Sequence, residues 1–253
     1  MNEIFARFQK CFIPFVTAGH PDLESTREII LALADSGCQI IEIGIPFSDP
    51  IADGPVIQAS SHAALRHRYR MDDYIEMVRE VRRKSEVGLV FMTYLNPILQ
   101  YGLDRLDEAA SKAGLNGILI SDLTPEALPA GIRSLEKIFL VAPTSSDERI
   151  ERICSATTGF IYLVARTGVT GNPTEIETTV PETVRRIRRF TDQPVAVGFG
   201  IRSAEDVRAV WRYAEGAVVG SAIVRFIEEN QKAGNLPERV RDYVESTFLR
   251  SSG

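Results

Sequence analysis

The chain has 253 residues, 44% of them hydrophobic and 25% charged, a balance that excludes wholesale disorder and a collagen-like fibre. Its formal net charge of −5 argues against a dedicated nucleic-acid binder, which needs a basic field. No apolar run approaches the roughly 18 residues of a membrane span, and the length suits one large α/β barrel or two smaller domains.

In chain order, residues 1–10 mix Glu3 with Arg7 and Lys10. The apolar stretch behind them, 12–16, is short and contains Pro14, so it reads as a strand and not as the core of a secretory leader. Similar runs follow at 38–45, 87–92, 117–120, 138–142, 160–164, 195–197 and 217–219, eight in all. Most are nearly continuous Val, Ile, Leu and Phe, as expected of parallel strands covered on both faces. Helical patterns lie between them. Ile29, Ile30, Leu33 and Ala34 share a face, as do Tyr74, Ile75, Val78 and Val81, and Val207, Val210, Trp211 and Ala214. Ser203 with Asp206, and Ser145 with Glu148, read as helix-start signals, and Pro237 suits a first helical position. The longest gap between strands, 45–87, has room for an extra helix and a long loop. No Gly/Pro/Ser-rich linker interrupts the series. One (β/α)₈ TIM barrel over residues 1–253, with extra N-terminal and inserted helices, is the expected architecture; a doubly wound open sheet is the structural alternative.

Cys11, Cys38 and Cys154 are odd in number and far apart. They make neither a disulfide framework nor a metal knuckle and favour a reducing compartment, the cytoplasm. His62 and His67 do not share a helix face, so zinc-site spacing is absent. With His20 they have no consistent partner in sequence and stand outside the expected catalytic set.

In such a barrel, chemistry sits at the C-terminal ends of the strands. The second run carries Glu42 among Ile40, Ile41, Ile43 and Ile45. A buried ion pair is one explanation, but the other runs hold no interior Lys or Arg to pair with it. A carboxyl facing the barrel mouth would have a raised pKa, which suits a general acid/base. The segment 46–55 is a proline-shaped loop with two more carboxylates, Asp49 and Asp53, which could instead cap turns. Gly198-Phe199-Gly200 and Gly220-Ser221 each follow a strand and precede a helix, where this fold often binds phosphate. A dinucleotide reading of the first fails, because Ser203 occupies the third glycine position. Residues 166–173, with two Thr and two Gly, suggest a lid. Arg185, Arg186, Arg188 and Arg189 read as the solvated face of a helix.

At these residues the chain resembles the α subunit of tryptophan synthase over nearly its whole length. The most specific part is Glu42-Ile43-Gly44-Ile45-Pro46-Phe47-Ser48-Asp49-Pro50-Ile51-Ala52-Asp53-Gly54-Pro55, which is similar to that family's E-L-G-x-P-F-S-D-P-x-A-D-G-P signature. Pro14-Phe15-Val16-Thr17-Ala18-Gly19, Thr167-Gly168-Val169-Thr170-Gly171 and Gly220-Ser221-Ala222-Ile223 support it. Mild departures stand at Val56, Ala165 and Leu123-Thr124-Pro125. The resemblance implies cleavage of indole-3-glycerol phosphate, a small phosphate substrate, to indole and glyceraldehyde 3-phosphate. It implies no cofactor in this chain, and a β-subunit partner in an α₂β₂ assembly that carries pyridoxal phosphate. It also implies catalytic roles for Glu42 and Asp53. Phe15, Ile57, Tyr94, Leu119 and Tyr162 match its indole pocket, and Phe199, Gly200, Gly171, Gly220 and Ser221 its phosphate positions. Thr170 matches the lid threonine, and Asp49 a loop that meets the β subunit. Two other readings remain open: a non-catalytic barrel that activates the β subunit, and another phosphate-binding barrel enzyme.

Overall fold

The computed structural model describes the backbone of residues 1–164, 173–198 and 200–250, and the side chains of the same residues except 173–178. In chain order its elements are α1 (Asn2–Phe8), β1 (Cys11–Thr17), α2 (Leu23–Asp35), β2 (Ile40–Gly44), α3 (Pro55–Leu65), α4 (Met71–Arg82), β3 (Gly88–Thr93), α5 (Leu95–Tyr101), α6 (Leu103–Ala113), β4 (Gly117–Ile120), β5 (Glu136–Val141), α7 (Asp147–Ala156), β6 (Ile161–Val164), α8 (Pro173–Ile187), β7 (Val195–Gly198), α9 (Ala204–Trp211), β8 (Gly216–Val219), α10 (Ser221–Asn230) and α11 (Leu236–Val244). The strands close into a parallel barrel in sequence order, with β8 pairing back to β1. The chain therefore adopts the expected TIM barrel. Two helices, α3 and α4, occupy the long gap between β2 and β3, and α1 precedes the first strand.

Alternate strand residues face two separate hydrophobic interiors. Phe12, Ile41, Ile43, Leu89 and Phe91 pack outward against the helices. Ile13, Ile40, Val90, Leu119, Ile138 and Tyr162 fill the barrel. Burial on both faces is the reason the strands read as unbroken aliphatic runs. At the N-terminal end of the strands, α1 closes the barrel: Phe5 meets Phe160 edge to face, centroids 5.7 Å apart.

Several local expectations change. The cap of α7 is Ser146, whose Oγ accepts from the Arg149 N–H at 3.3 Å; Ser145 instead accepts from the Ala142 N–H. Leu236 takes the first position of α11, and Pro237 follows it. β5 starts at Glu136 and so includes Lys137. Lys137 neighbours the inward Ile138 and thus faces away from the barrel, beside Ile118 and Ile120, so among the described residues Glu42 still has no cation inside. The arginine run is only partly a solvated face. Arg185 and Arg189 are exposed, but half-buried Arg186 pairs with Asp147 at 2.8 Å and half-buried Arg188 pairs with Glu215.

Between β4 and β5 the crossover helix is replaced by a single 3₁₀ turn, Pro125–Ala127. Buried Asp107 of α6 secures the end of this link. Its two oxygens accept from the Ser134 N–H at 3.0 and 2.9 Å, and Oδ1 also accepts from the Leu135 N–H at 2.9 Å. Burial pushes the carboxyl's pKa up, but these backbone donors outweigh it and hold the pKa below its usual value. Removing the carboxylate leaves the buried Leu135 N–H and the part-buried Ser134 N–H without their acceptor, a loss of about 1–3 kcal/mol for a buried donor. Asp107→Ala is therefore expected to lower unfolding free energy by about 2–4 kcal/mol, measured by denaturant titration; a change below about 0.5 kcal/mol would contradict this role.

Candidate active site

Glu42 lies two residues after Ile40 on β2, and Ile40 belongs to the inner core. Strand alternation turns Glu42 the same way, into the barrel. It is 2% exposed, and its Oε1 has no hydrogen-bond partner among the described residues. Burial, reinforced by the neighbouring Asp53 carboxylate, pushes its pKa up to about 8. Such a group holds its proton at neutral pH and can still give it up.

Asp53 comes from the loop after β2 and lines a cleft at the C-terminal ends of the strands with Phe15, Gly44, Ile57, Met92 and Tyr94. Burial raises its pKa to about 6, and the Tyr94 hydroxyl beside it opposes that rise. The two carboxyls are thus tuned apart, one neutral and one mostly charged at pH 7. Tyr162 feels both: burial first, then Glu42 and Asp53, hold its phenol well above the usual range. Two glycines make room for these aromatic rings. A methyl on Gly44 would overlap the Phe15 ring, and one on Gly198 would overlap the Tyr162 hydroxyl.

The loop is laced down by α3, the helix it leads into. Ser61 Oγ accepts from the Phe47 N–H at 3.0 Å and donates to the Phe47 carbonyl at 3.2 Å. Gln58 Nε2 donates to the Asp53 carbonyl at 2.8 Å, and His62 Nε2 lies 3.2 Å from the Ser48 carbonyl. From the end of the neighbouring strand β3, the Tyr94 hydroxyl accepts from the Ala52 N–H at 3.0 Å, and the Phe47 ring lies 5.1 Å from that of Tyr94. On the opposite rim, Gly220 precedes α10 and Ser221 opens it. The bare side of Gly220 faces Phe15 and Ile57, so a helix N-terminus borders the cleft, where backbone N–H groups favour an anion. Among the described residues, no group of three or more His, Cys, Asp or Glu is placed to hold a metal ion.

Residues 1–247 match the family profile described as tryptophan synthase alpha chain. This chain belongs to that family. A tryptophan synthase alpha chain of Solibacter usitatus is 42% identical over 241 residues, covering 93% of this chain and 90% of the relative. That of Desulfatibacillum aliphaticivorans is 44% identical over 254 residues, covering 98% and 96%. A solved chain from work on the tryptophan synthase a2b2 complex of Pyrococcus furiosus superposes with a TM-score of 0.85 at 41% identity, covering 93% of this chain and 96% of that one.

Of the positions that resemblance to the alpha chain family singled out, Phe15, Asp53, Ile57 and Tyr94 line the cleft itself. Glu42 is buried in the barrel beside Asp53. Leu119 and Tyr162 belong to the inner core. Gly220 and Ser221 border the cleft, and Gly200 is exposed just past β7. Thr170, Gly171 and Phe199, with the expected lid at 166–173 apart from the backbone of Pro173, lie outside the described residues. The histidines keep out of the cleft. His20 is buried with Nε2 2.9 Å from the Glu228 carboxylate, and burial holds its pKa below the usual value. Sequence reading missed Gln58 and Ser61. Their signal is faint: small or amide side chains four positions and seven positions after Gly54, on the helix face turned back toward its own entry loop.

The buried carboxyl has a measurable cost. The unfolded chain releases this proton above about pH 4.5, whereas the fold retains it to about 8. Stability is therefore lost as pH rises between these values, at about 1.4 kcal/mol per unit and up to about 5 kcal/mol in all. Glu42→Gln has nothing to titrate there. Its stability relative to the wild type is expected to climb steadily between pH 5 and pH 8, followed by thermal melts; a difference independent of pH would show that the carboxyl titrates normally.

Proposed function

We propose that this tryptophan synthase alpha chain cleaves indole-3-glycerol phosphate to indole and glyceraldehyde 3-phosphate with Glu42 as acid and base and Asp53 as the charge that steadies the ring. The observation that carries this reading is the inward Glu42 carboxyl, its Oε1 without a partner among the described residues, beside Asp53 at the C-terminal mouth of the barrel. The reaction is a retro-aldol cleavage. Glu42, protonated, delivers its proton to indole C3 and makes the ring cationic. The hydroxyl on the carbon attached to C3 then loses its proton to the Glu42 carboxylate and becomes the aldehyde, while the electrons of the breaking carbon–carbon bond return to the ring. Asp53, ionised, accepts the indole N–H and stabilises the positive charge that develops next to it. Phe15, Ile57, Tyr94, Leu119 and Tyr162 would hold the ring, and Gly220 and Ser221 with the N-terminus of α10 the phosphate. Anchoring that remote group aligns the reacting atoms.

Every transfer in this step is a proton or a shift of charge, which the side chains supply, so it calls for no cofactor in this chain. Pyridoxal phosphate belongs, in this reading, to a β-subunit partner in an α₂β₂ assembly. The docking side is the barrel mouth. Ile51, in the loop that holds Asp53, is 83% exposed, and Leu99, on the helix after β3, is 50% exposed; Asp49 is exposed beside Ile51. Residues 1–253 act in this reading as one barrel domain. The three free, buried cysteines agree with a cytoplasmic setting.

Indole release by the α chain with its β subunit tests the assignment. Activity requires Asp53 charged and Glu42 protonated, so kcat/KM is expected to rise as pH passes about 6 and to fall as it passes about 8. The two limbs belong to the interacting pair and not to either group alone. A flat profile across this range would remove the acid–base pairing. Glu42→Gln is expected to cost at least about 10²–10⁴-fold in kcat with folding intact, and near wild-type turnover in that variant would refute its role.

A further inference from the structure

The loop that carries Asp53 makes its last turn between Pro50 and Asp53, closed by the Asp53 N–H donating to the Pro50 carbonyl at 3.1 Å. One side chain spans both ends of that turn. Gln58 Nε2 donates to the Asp53 carbonyl at 2.8 Å and reaches the Pro50 carbonyl at 3.4 Å. Gln58 is itself fixed in the first turn of α3, where its N–H donates to the Gly54 carbonyl at 2.9 Å. The amide is half-buried, so the contact is partly shielded from competing water. Tyr94 grips the same turn from the opposite side through the Ala52 N–H. Asp53 therefore sits in a turn clamped between a residue of its own helix and a residue at the end of the neighbouring strand.

We propose that Gln58 is a positioning residue for Asp53: its amide locks the Pro50–Asp53 turn onto α3 and thereby aims the Asp53 carboxylate at the ring nitrogen. It touches no reacting atom. Without the clamp, the turn retains its internal hydrogen bond but is free to shift relative to the helix, and displacements of about 1 Å at a catalytic group can cost about 10²-fold in rate. Apart from the bond from the ring N–H to Asp53 itself, the groups assigned to the ring and the phosphate lie outside the turn, so ground-state binding is affected far less than turnover. The proposal rests on the role given to Asp53 above.

A double-mutant cycle on the α chain assembled with its β subunit separates the two claims. Gln58→Met, of equal length and without donors, is expected to lower kcat at least about tenfold while KM stays within about threefold. In the Asp53→Asn background the same substitution is expected to change kcat less than about twofold, because its effect passes through Asp53. An undiminished kcat in Gln58→Met, or an equal loss in both backgrounds, would overturn the clamp. If Asp53→Asn alone leaves kcat unchanged, the fault lies instead with the role of Asp53. Thermal melts precede the kinetics; should Gln58→Met melt well below the wild type, Gln58→Ala is taken through the same cycle with the same expected outcomes.

Discussion

A carboxyl group placed where water is scarce, its Oε1 without a hydrogen-bond partner among the described residues, governs this molecule. Glu42 sits on a strand otherwise made of isoleucine and glycine, and desolvation keeps it neutral at pH values where an exposed glutamate would be charged. That is unfavourable for folding and favourable for proton transfer, and the barrel is built so that the folding side of the balance is covered elsewhere. Two independent cores, one inside the strands and one between strands and helices, supply the burial that tolerates one strained position.

Proximity alone would make two like carboxyls hinder one another. Here their environments differ. Glu42 is enclosed by the barrel, whereas Asp53 is only half-buried and has a phenol alongside that favours its charged form. The contrast separates the two protonation states, and in the proposed mechanism it divides the labour between a proton carrier and a fixed negative charge. The loop from Pro46 to Gly54 makes the contrast possible. It is long enough to fold back over the mouth, and it is restrained mainly by the helix that follows it, through Gln58, Ser61 and His62. Its outer surface leaves Ile51 in solvent, so the same segment that presents Asp53 inward presents an apolar side chain outward. A partner that covers Ile51 would thus contact the same segment that carries Asp53.

The strands, the barrel and the inward glutamate were legible in the residues because each rests on a local regularity. Unbroken aliphatic runs require cover on both faces, eight of them with helical spacers close naturally into a barrel, and a lone carboxylate in such a run must face a cavity or a partner. The exceptions have local causes as well. Asp107 takes the place of a crossover helix after β4 with hydrogen bonds that span 27 and 28 residues, a separation no periodicity reveals. Arg186 and Arg188 look like surface charge in a helical repeat, yet Asp147 and Glu215 reach them from distant elements.

Residue order alone pointed to the barrel, the inward glutamate and the shaped loop with its aspartate, since burial pattern and turn chemistry are short-range properties. The separation of the two carboxyl pKa values, the room that Gly44 and Gly198 leave for Phe15 and Tyr162, and the grip of Gln58 on the Asp53 turn arise only when remote segments meet. Desolvation and contact depend on what surrounds a group in space, and the chain does not state its surroundings until it has folded.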